Sequence, residues 1–562
     1  MEQVSARIKD LKRNKMPAAM AAEEKSTVFL HPMDRWHLYS EFKNGVNTGG
    51  RIVFVRLFAI IGLFVLLQAC INFINLSTAR AQNRAKEIGI RKTIGGRRGQ
   101  LIEQFFVESV MIALLAFVFA MILVRFFLPF FNQIADKRIA GFWANPWFWL
   151  ISALFSVAVG LLAGIYPATY LSSFDPVKVL KGAFKAGALA IFQRKALVVL
   201  QFTISVVLII GTIVVFRQIE HAKDRPIGYD PRGVITIGTT KDIFDHYNAF
   251  ADDLKRSGAA ADVAYSVNST TVTNAITGGF KWPGMDPNAS PLIAISNISS
   301  GYGKLIGWTL REGRDFSAQL ATDSSGFILN EAAVKLMGLK HPIGSTISFK
   351  DKPYHVIGVI RDMIIESPYQ AVGPYIYIMA GNYSAFVTIK LNSAMGVQTA
   401  LGKVGAVYTK YNPSLPFTYQ FTDLEYAKKF GDEIRVGKLA AIFAVIAVFI
   451  SCLGIFGLST FAVQQRTKEI SIRKVLGASV LTLYQMLSGE FLVLVATSLV
   501  IATPIAWFGM SKWLQQYDYR TSLAWWIFAA SGLGALLLTI LTVGYQSIKA
   551  ATTNPANSLR SE

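Results

Sequence analysis

Residues 70–95 read CINFINLSTARAQNRAKEIGIRKTIG, and residues 452–477 read CLGIFGLSTFAVQQRTKEISIRKVLG. The two segments align without gaps and share 13 identities in 26 positions: Cys70, Leu76, Ser77, Thr78, Gln82, Arg84, Lys86, Glu87, Ile88, Ile90, Arg91, Lys92 and Gly95 all recur as the same residue. Leu101 and Glu108 return as Leu483 and Glu490, and more loosely Tyr166, Pro176, Leu180 and Lys181 return as Tyr545, Pro555, Leu559 and Arg560. An internal repeat of this kind means that one structural unit is built twice. Each copy starts inside an apolar run and ends in a basic, polar stretch, so the repeat crosses a boundary between two solvents.

That boundary is a bilayer. The 562-residue chain is 52% hydrophobic and only 16% charged, where soluble domains average about 25% charged residues. Apolar stretches of about 20 residues cross the hydrocarbon as helices, and seven stand out: roughly 52–76, 105–128, 147–171, 196–216, 438–463, 487–509 and 524–545. Arg56 and Arg125 lie near the ends of their spans, where the side chain can snorkel to the headgroups. Both cysteines, Cys70 and Cys452, fall within spans and are read as small buried hydrophobes.

The net charge of +21 would suit nucleic acid, but its distribution follows topology. Arg80, Arg84, Lys86, Arg91, Lys92, Arg97 and Arg98 lie between the first two spans. Lys178, Lys181, Lys185, Arg194 and Lys195 lie between the third and fourth, and Arg466, Lys468, Arg473 and Lys474 follow the fifth. Stretch 217–437 is nearly balanced. This alternation is the positive-inside pattern. It assigns the basic loops and the C-terminus to the cytoplasm, assigns 217–437 to the outside, and removes the need for a nucleic-acid partner.

The expected fold class is therefore an α-helical polytopic membrane protein, with seven spans in two repeats and an inserted mixed α/β extracytoplasmic domain. Its divisions are 52–185, a first three-span unit; 196–216, a single transmembrane helix; 217–437, the extracytoplasmic domain; and 438–562, a second three-span unit. Within 217–437, β-rich runs such as Gly233–Ile237, Phe327–Leu329 and His355–Ile360 alternate with helical stretches such as Ile243–Lys255 and Glu331–Met337. Turns are expected at Pro283-Gly284, Pro342-Ile343-Gly344 and Asp351-Lys352-Pro353. A span and a large domain precede the second repeat, whereas 51 polar residues precede the first. The expectation is that a further span and most of a first extracytoplasmic domain lie upstream, with 1–51 as a remnant.

The basic segments carry the candidate site. Arg84, Glu87 and Arg91 share one helical face, as do Arg466, Glu469 and Arg473. Glu87 with Arg91 and Glu469 with Arg473 are i,i+4 pairs. Gly95 and Gly477 stand where a helix C-cap wants a positive φ. A plain topology anchor on acidic headgroups needs charge but no fixed order of Lys, Glu, Ile, Arg and Gly; a docking surface needs that order. Glu108 and Glu490 near the span entrances read either as hydrogen-bonding groups that orient this helix or as carboxylates snorkelling to the surface. Asn72, Asn75 and Gln201 read as bonds between helices.

Here the sequence resembles a family. RAKEIGIRKTIGG from Arg84 and RTKEISIRKVLGA from Arg466 are similar to the segment after the second span of FtsX-like and MacB-like ABC transporter permeases. Glu312-Gly-Arg-Asp-Phe316, Ile328-Leu-Asn-Glu331 and Val356-Ile-Gly-Val-Ile-Arg-Asp362 resemble the MacB-like periplasmic core domain. The resemblance covers nearly the whole chain from about residue 30. It implies a bacterial inner-membrane permease subunit for export, efflux or mechanotransmission. It also implies ATPase coupling through Arg84, Lys86, Glu87, Ile88, Arg91, Lys92 and Gly95, and through Arg466, Lys468, Glu469, Ile470, Arg473, Lys474 and Gly477. The alternative is a membrane scaffold that uses the ATPase to control an extracytoplasmic cell-wall hydrolase.

No catalytic, cofactor-binding or metal-binding residues are assigned. The sequence has no G-x-x-x-x-G-K-[ST] loop, so ATP binding is expected on a separate ABC ATPase, which the family resemblance implies is a dimer. Leu487-Ser-Gly-Glu490 is superficially like an ATPase signature but opens an apolar span. The six histidines are scattered and form no H-E-x-x-H pattern. The remaining expected partners are membrane lipid and a periplasmic adaptor, lipoprotein or cell-wall hydrolase.

Overall fold

A computed structural model describes residues 1–16, 27–43, 45–83, 90–94, 97–172, 188–287, 289–379 and 384–552. Among them are seven helices long and apolar enough to cross a membrane. They are α1 (Ile52–Asn83), α2 (Arg98–Ala135), α3 (Pro146–Ser172), α4 (Ala188–Lys223), α8 (Gly431–Gln465), α10 (Val480–Leu514) and α11 (Trp525–Thr552). All seven expected spans are present. Several helices overrun the apolar stretch that announced them, because Gln, Arg and Lys continue a helix well once its nucleus exists.

The chain divides into two compact units. The helical unit comprises His31–Gln218, Glu433–Gln515 and Thr521–Glu562. Its best-buried core joins α4, α8, α10 and α11. Val198, Phe202, Val206, Ile210 and Val214 form a stripe along α4 at every fourth position, packed with Ile455 and Leu458 of α8, Val495 and Ala502 of α10, and Ala535 of α11. A polar seam runs where α1, α4 and α8 meet. The Gln68 amide, wholly buried, donates to Ala447 O at 2.7 Å and Ser205 Oγ at 2.9 Å, and also to Ser451 Oγ. Gln201 Nε2 donates to Ile450 O at 3.2 Å. This is the bonding between helices expected of Gln201. Asn75, 1% exposed, has a side-chain amide nitrogen with no acceptor among the described residues. Gly457 lets α8 approach α1, since a Cβ there would fall 2.0 Å from Leu76 Cδ2.

The other unit gathers Met1–Leu30, Ile219–Asp432 and Gln516–Arg520. Residues 1–51 are thus shared between the two units; their part near α1 carries a small hairpin, β1 (Glu41–Lys43) with β2 (Val46–Gly49). The inserted domain is mixed α/β, as expected. A four-stranded sheet has the order β14-β3-β13-β4 (Gln420–Phe421, Val234–Gly238, Phe386–Leu391, Ala260–Ser266). Ile235, Ile237, Val387 and Ile389 pack under α5 (Tyr247–Arg256) and α7 (Val397–Tyr411), which contribute Phe250, Leu254, Leu401 and Val404. The expected helix Ile243–Lys255 is interrupted at His246, where φ −114 and ψ 27 leave the helical region.

The larger sheet runs β5-β7-β12-β9-β11-β10-β6, with β8 also on β11. Its strands are β5 (Ile276–Thr277), β6 (Phe280–Lys281), β7 (Ile293–Asn297), β8 (Leu310–Gly313), β9 (Gly326–Asn330), β10 (Thr346–Phe349), β11 (Lys352–Ile360) and β12 (Tyr375–Ile378). It is buried on both faces. Phe280, Ile293, Phe327, Leu329 and Ile376 occupy one face, and Ile328, Ile360, Tyr375 and Tyr377 the other. Strand β9 leads into α6 (Glu331–Met337), whose N-cap Asn330 accepts from Ala333 N at 2.9 Å. The β10–β11 turn falls on Lys350 and Asp351, φ +51 and +62, one residue before the expected site. Pro353 lies within β11 opposite Ser348. Two positive-φ residues suit a two-residue hairpin loop.

Candidate functional site

The second basic segment folds as a short helix, α9 (Thr467–Val475), between α8 and α10. Glycine ends it. Gly477 has φ +91, Ala478 N donates to Arg473 O at 2.9 Å, and Gly477 N donates to Lys474 O at 3.1 Å. These paired bonds satisfy carbonyls that the last turn would otherwise orphan. Arg473 and Lys474 occupy that last turn, where positive charge suits the helix dipole.

Side chains fix the elbow from two directions. Ile470 is 4% exposed and packs on Leu483 and Leu487 of α10. Arg473 reaches Glu469 Oε1 at 2.6 Å and donates to Met486 Sδ at 3.1 Å. Glu490 accepts from Lys195 at 2.8 Å and from Arg466 at 3.3 Å. One carboxylate therefore ties α10 to the α8–α9 corner and to α4. Of the two readings of Glu490, hydrogen-bonded orientation of the elbow is the one this geometry matches.

In the first segment, Arg84, Lys86, Glu87, Ile88 and Gly95 lie outside the described residues. Arg91 and Lys92 are described. Arg91 Nη1 donates to Gln104 Oε1 at 3.0 Å, and Gln104 Nε2 donates to Glu108 Oε1 at 3.1 Å. Gln104 and Met486 hold the same place in their repeats, as do Arg91 and Arg473. Both halves thus use the same two positions to hold the elbow against the next helix, one through an amide and one through a thioether. Lys468 is on α9.

Sequence reasoning missed the outward face. Ile94 and Leu476 are each 80% exposed, and Ile90, Ile472 and Val475 are also exposed. Ile90 and Ile94 match Ile472 and Leu476 in the repeat. The signal was present, since isoleucine or leucine recurs at i and i+4, but spacing alone does not tell which apolar side looks outward. Ile470 looks inward.

Seven membrane-capable helices with an inserted mixed α/β domain define a multi-pass membrane protein. Comparison with known proteins refines the class. The FtsX-like permease C-terminal model matches residues 59–176 and again 441–555, and the MacB-like periplasmic core domain matches 196–407. The chain belongs to the ABC transporter permeases of the FtsX-like and MacB-like family. Among relatives, an uncharacterized ABC transporter permease YknZ of Bacillus subtilis (strain 168) is 32% identical over 119 residues, 21% of this chain and 28% of that protein. A macrolide export ATP-binding/permease protein MacB of Escherichia coli is 26% identical over 177 residues, 31% of this chain and 27% of that protein. The chain therefore matches less than a third of the length of these relatives. The periplasmic region of MacB from Actinobacillus actinomycetemcomitans aligns at 16% identity, 35% of this chain and 93% of that one, with a TM-score of 0.28.

Proposed function

We propose that this chain is the permease subunit of an ABC-type export or mechanotransmission complex in the bacterial inner membrane. The two elbows, Arg84–Gly95 and Arg466–Gly477, face the cytoplasm with the C-terminus and receive a dimer of a separate ATPase. The inserted domain, 217–437, works outside the membrane. The observation that carries this reading is the repeated elbow itself: its inner face is anchored by Ile470, Arg466 and Glu490, while Ile472, Val475 and Leu476 present uncovered apolar surface. Small exposed apolar patches rimmed by charge suit protein docking. This sequence contains no G-x-x-x-x-G-K-[ST] loop, which supports reading hydrolysis as the partner's task.

The test is co-purification with the ATPase. Charge reversal at Arg91 and Arg473 should abolish it. Because Arg473 also pairs with Glu469, Leu476→Asp serves as a second variant that alters only exposed surface. Retained ATPase binding with normal stimulated hydrolysis in both variants removes the coupling assignment. Labelling of Lys92 or Lys474 from outside intact cells would reverse the topology and remove it as well.

A further inference from the structure

The inserted domain contains a cavity of about 160 Å³. Its floor is one cross-strand row of the larger sheet. Ile276 of β5 faces Ala294 of β7, which faces Tyr375 of β12. The middle residue of the row is an alanine between two large side chains, and that shortfall in volume helps to create the hollow. Its roof is the segment Met363–Pro374. The row begins at an edge of the sheet, because among the described residues β5 is the last strand in the order. Ile276 and Leu292, 55% and 68% exposed, stand among the lining residues on that side.

The roof is held by its main chain. Arg225 Nη1 donates to Pro368 O at 2.9 Å and Gln370 O at 2.7 Å. Lys429 Nζ donates to Ile365 O at 2.8 Å and Glu366 O at 2.6 Å, and also to Thr271 O at 2.6 Å. Asp518 accepts from Ala371 N at 3.2 Å, and Tyr519 N donates to Tyr369 O at 3.0 Å. Burial lowers the pKa of the Lys429 ammonium, and three carbonyls replace its lost water. A roof tied this firmly keeps the hollow open rather than letting it collapse onto the sheet.

We propose that this cavity is a side-chain pocket for an extended peptide: the peptide adds to the edge at β5, beside Ile276, and one aromatic or branched aliphatic side chain leans across Ile276 into the hollow over Ala294. The volume decides the size of the guest, since a cavity of about 150 Å³ accepts a single benzene ring. The lining is mixed: Ile276, Leu292 and Ala294 give the sheet side an apolar surface, while Glu366, Ser367 and Gln370 of the roof are polar, so an apolar side chain is expected to rest on the sheet side. An unpaired sheet edge beside a pocket is the arrangement used in strand addition, with the backbone giving affinity and the pocket giving choice of side chain. This extends the reading of the domain as the working part of a permease. Its test reads binding alone, so failure here leaves ATPase docking untouched, and failure of docking leaves the pocket untouched.

The probe is N-acetyl-4-fluoro-L-phenylalaninamide, followed by fluorine line broadening with the full chain in lipid nanodiscs. A fragment of this size is expected to bind at about millimolar concentration. Wild type should broaden the line, and N-acetyl-leucinamide should compete while N-acetyl-glycinamide should not. Ala294→Phe fills the hollow and should weaken binding at least tenfold. Leu292→Arg, at an exposed position that does not threaten the fold, should do the same at the mouth. Where Ala294→Phe does not fold, Ala294→Leu replaces it. Equal broadening in wild type and both variants means partition into lipid and overturns the proposal, as does no broadening in wild type.

Discussion

Replacing Asp323 with asparagine should destabilise the inserted domain by about 2–3 kcal/mol, and the structure supplies the reason. Asp323 is fully buried and receives both arms of Arg314, at 2.7 and 2.5 Å. It also accepts from Ser317 N at 2.8 Å. Two charge-assisted bonds to a buried carboxylate contribute about 1.5–3 kcal/mol each, and breaking such a pair costs about 3–5 kcal/mol. The figure is reduced because Arg314, 43% exposed, can turn to water when its partner is lost. For a domain of this size each kcal/mol moves the midpoint by about 2–4 °C, so the expected fall is roughly 5–10 °C. Near-UV circular dichroism of the intact protein in nanodiscs would follow it. The pH dependence has a definite sign. Arg314 holds the Asp323 carboxyl below its ordinary range, so its stabilisation is complete above the unfolded value near pH 4 and is lost as pH falls through the lower folded value. Burial raises the Asp315 carboxyl, and its contribution has the opposite sign. Asp323→Asn should flatten the acid limb that remains. A midpoint shift under about 1 °C, or strict additivity with Arg314→Met in a double-mutant cycle, would refute the argument.

Two further substitutions probe the helical unit. Gly457→Ile forces a branched side chain against Leu76 and should destabilise the α1–α8 contact by about 1–3 kcal/mol; unchanged resistance to denaturant in lipid would show that the close approach does not matter. Asn75→Leu should be neutral or stabilising by up to about 1 kcal/mol, because its buried amide nitrogen has no acceptor among the described residues and an apolar replacement removes that cost. A clear loss of stability there would mean that the amide is satisfied in the membrane.

Much of the helical architecture was legible because bilayer thickness imposes a length that few soluble elements share. The repeat was legible too, since Arg84 to Gly95 and Arg466 to Gly477 align without a gap and are identical at eight of twelve positions. Helix ends were not, for a physical reason: α2 begins at Arg98 and ends at Ala135, and its polar first turn carries no apolar signal. Glu490 could be singled out from its match with Glu108, but its partner Lys195 arrives from a helix far away in sequence. The strand order of the larger sheet was equally hidden, because β12 joins β7 in parallel and β9 antiparallel, and neither pairing leaves a local trace. Turn chemistry was legible to within one residue: the Lys350-Asp351 corner supplies the two left-handed residues, and the proline after it tolerates a strand position that donates no hydrogen bond.

Arg225 and Lys429 grip the Met363–Pro374 segment by carbonyl oxygens, and every amino acid offers that oxygen. Its exposed side chains, Glu366, Gln370 and Ala371, are therefore at liberty to drift across generations, while the two cations and the core residues Met363 and Ile365 stay put. A lineage could recut the lock without moving the hinge screws, so close cousins with identical anchors should differ most at those exposed positions lining the cavity.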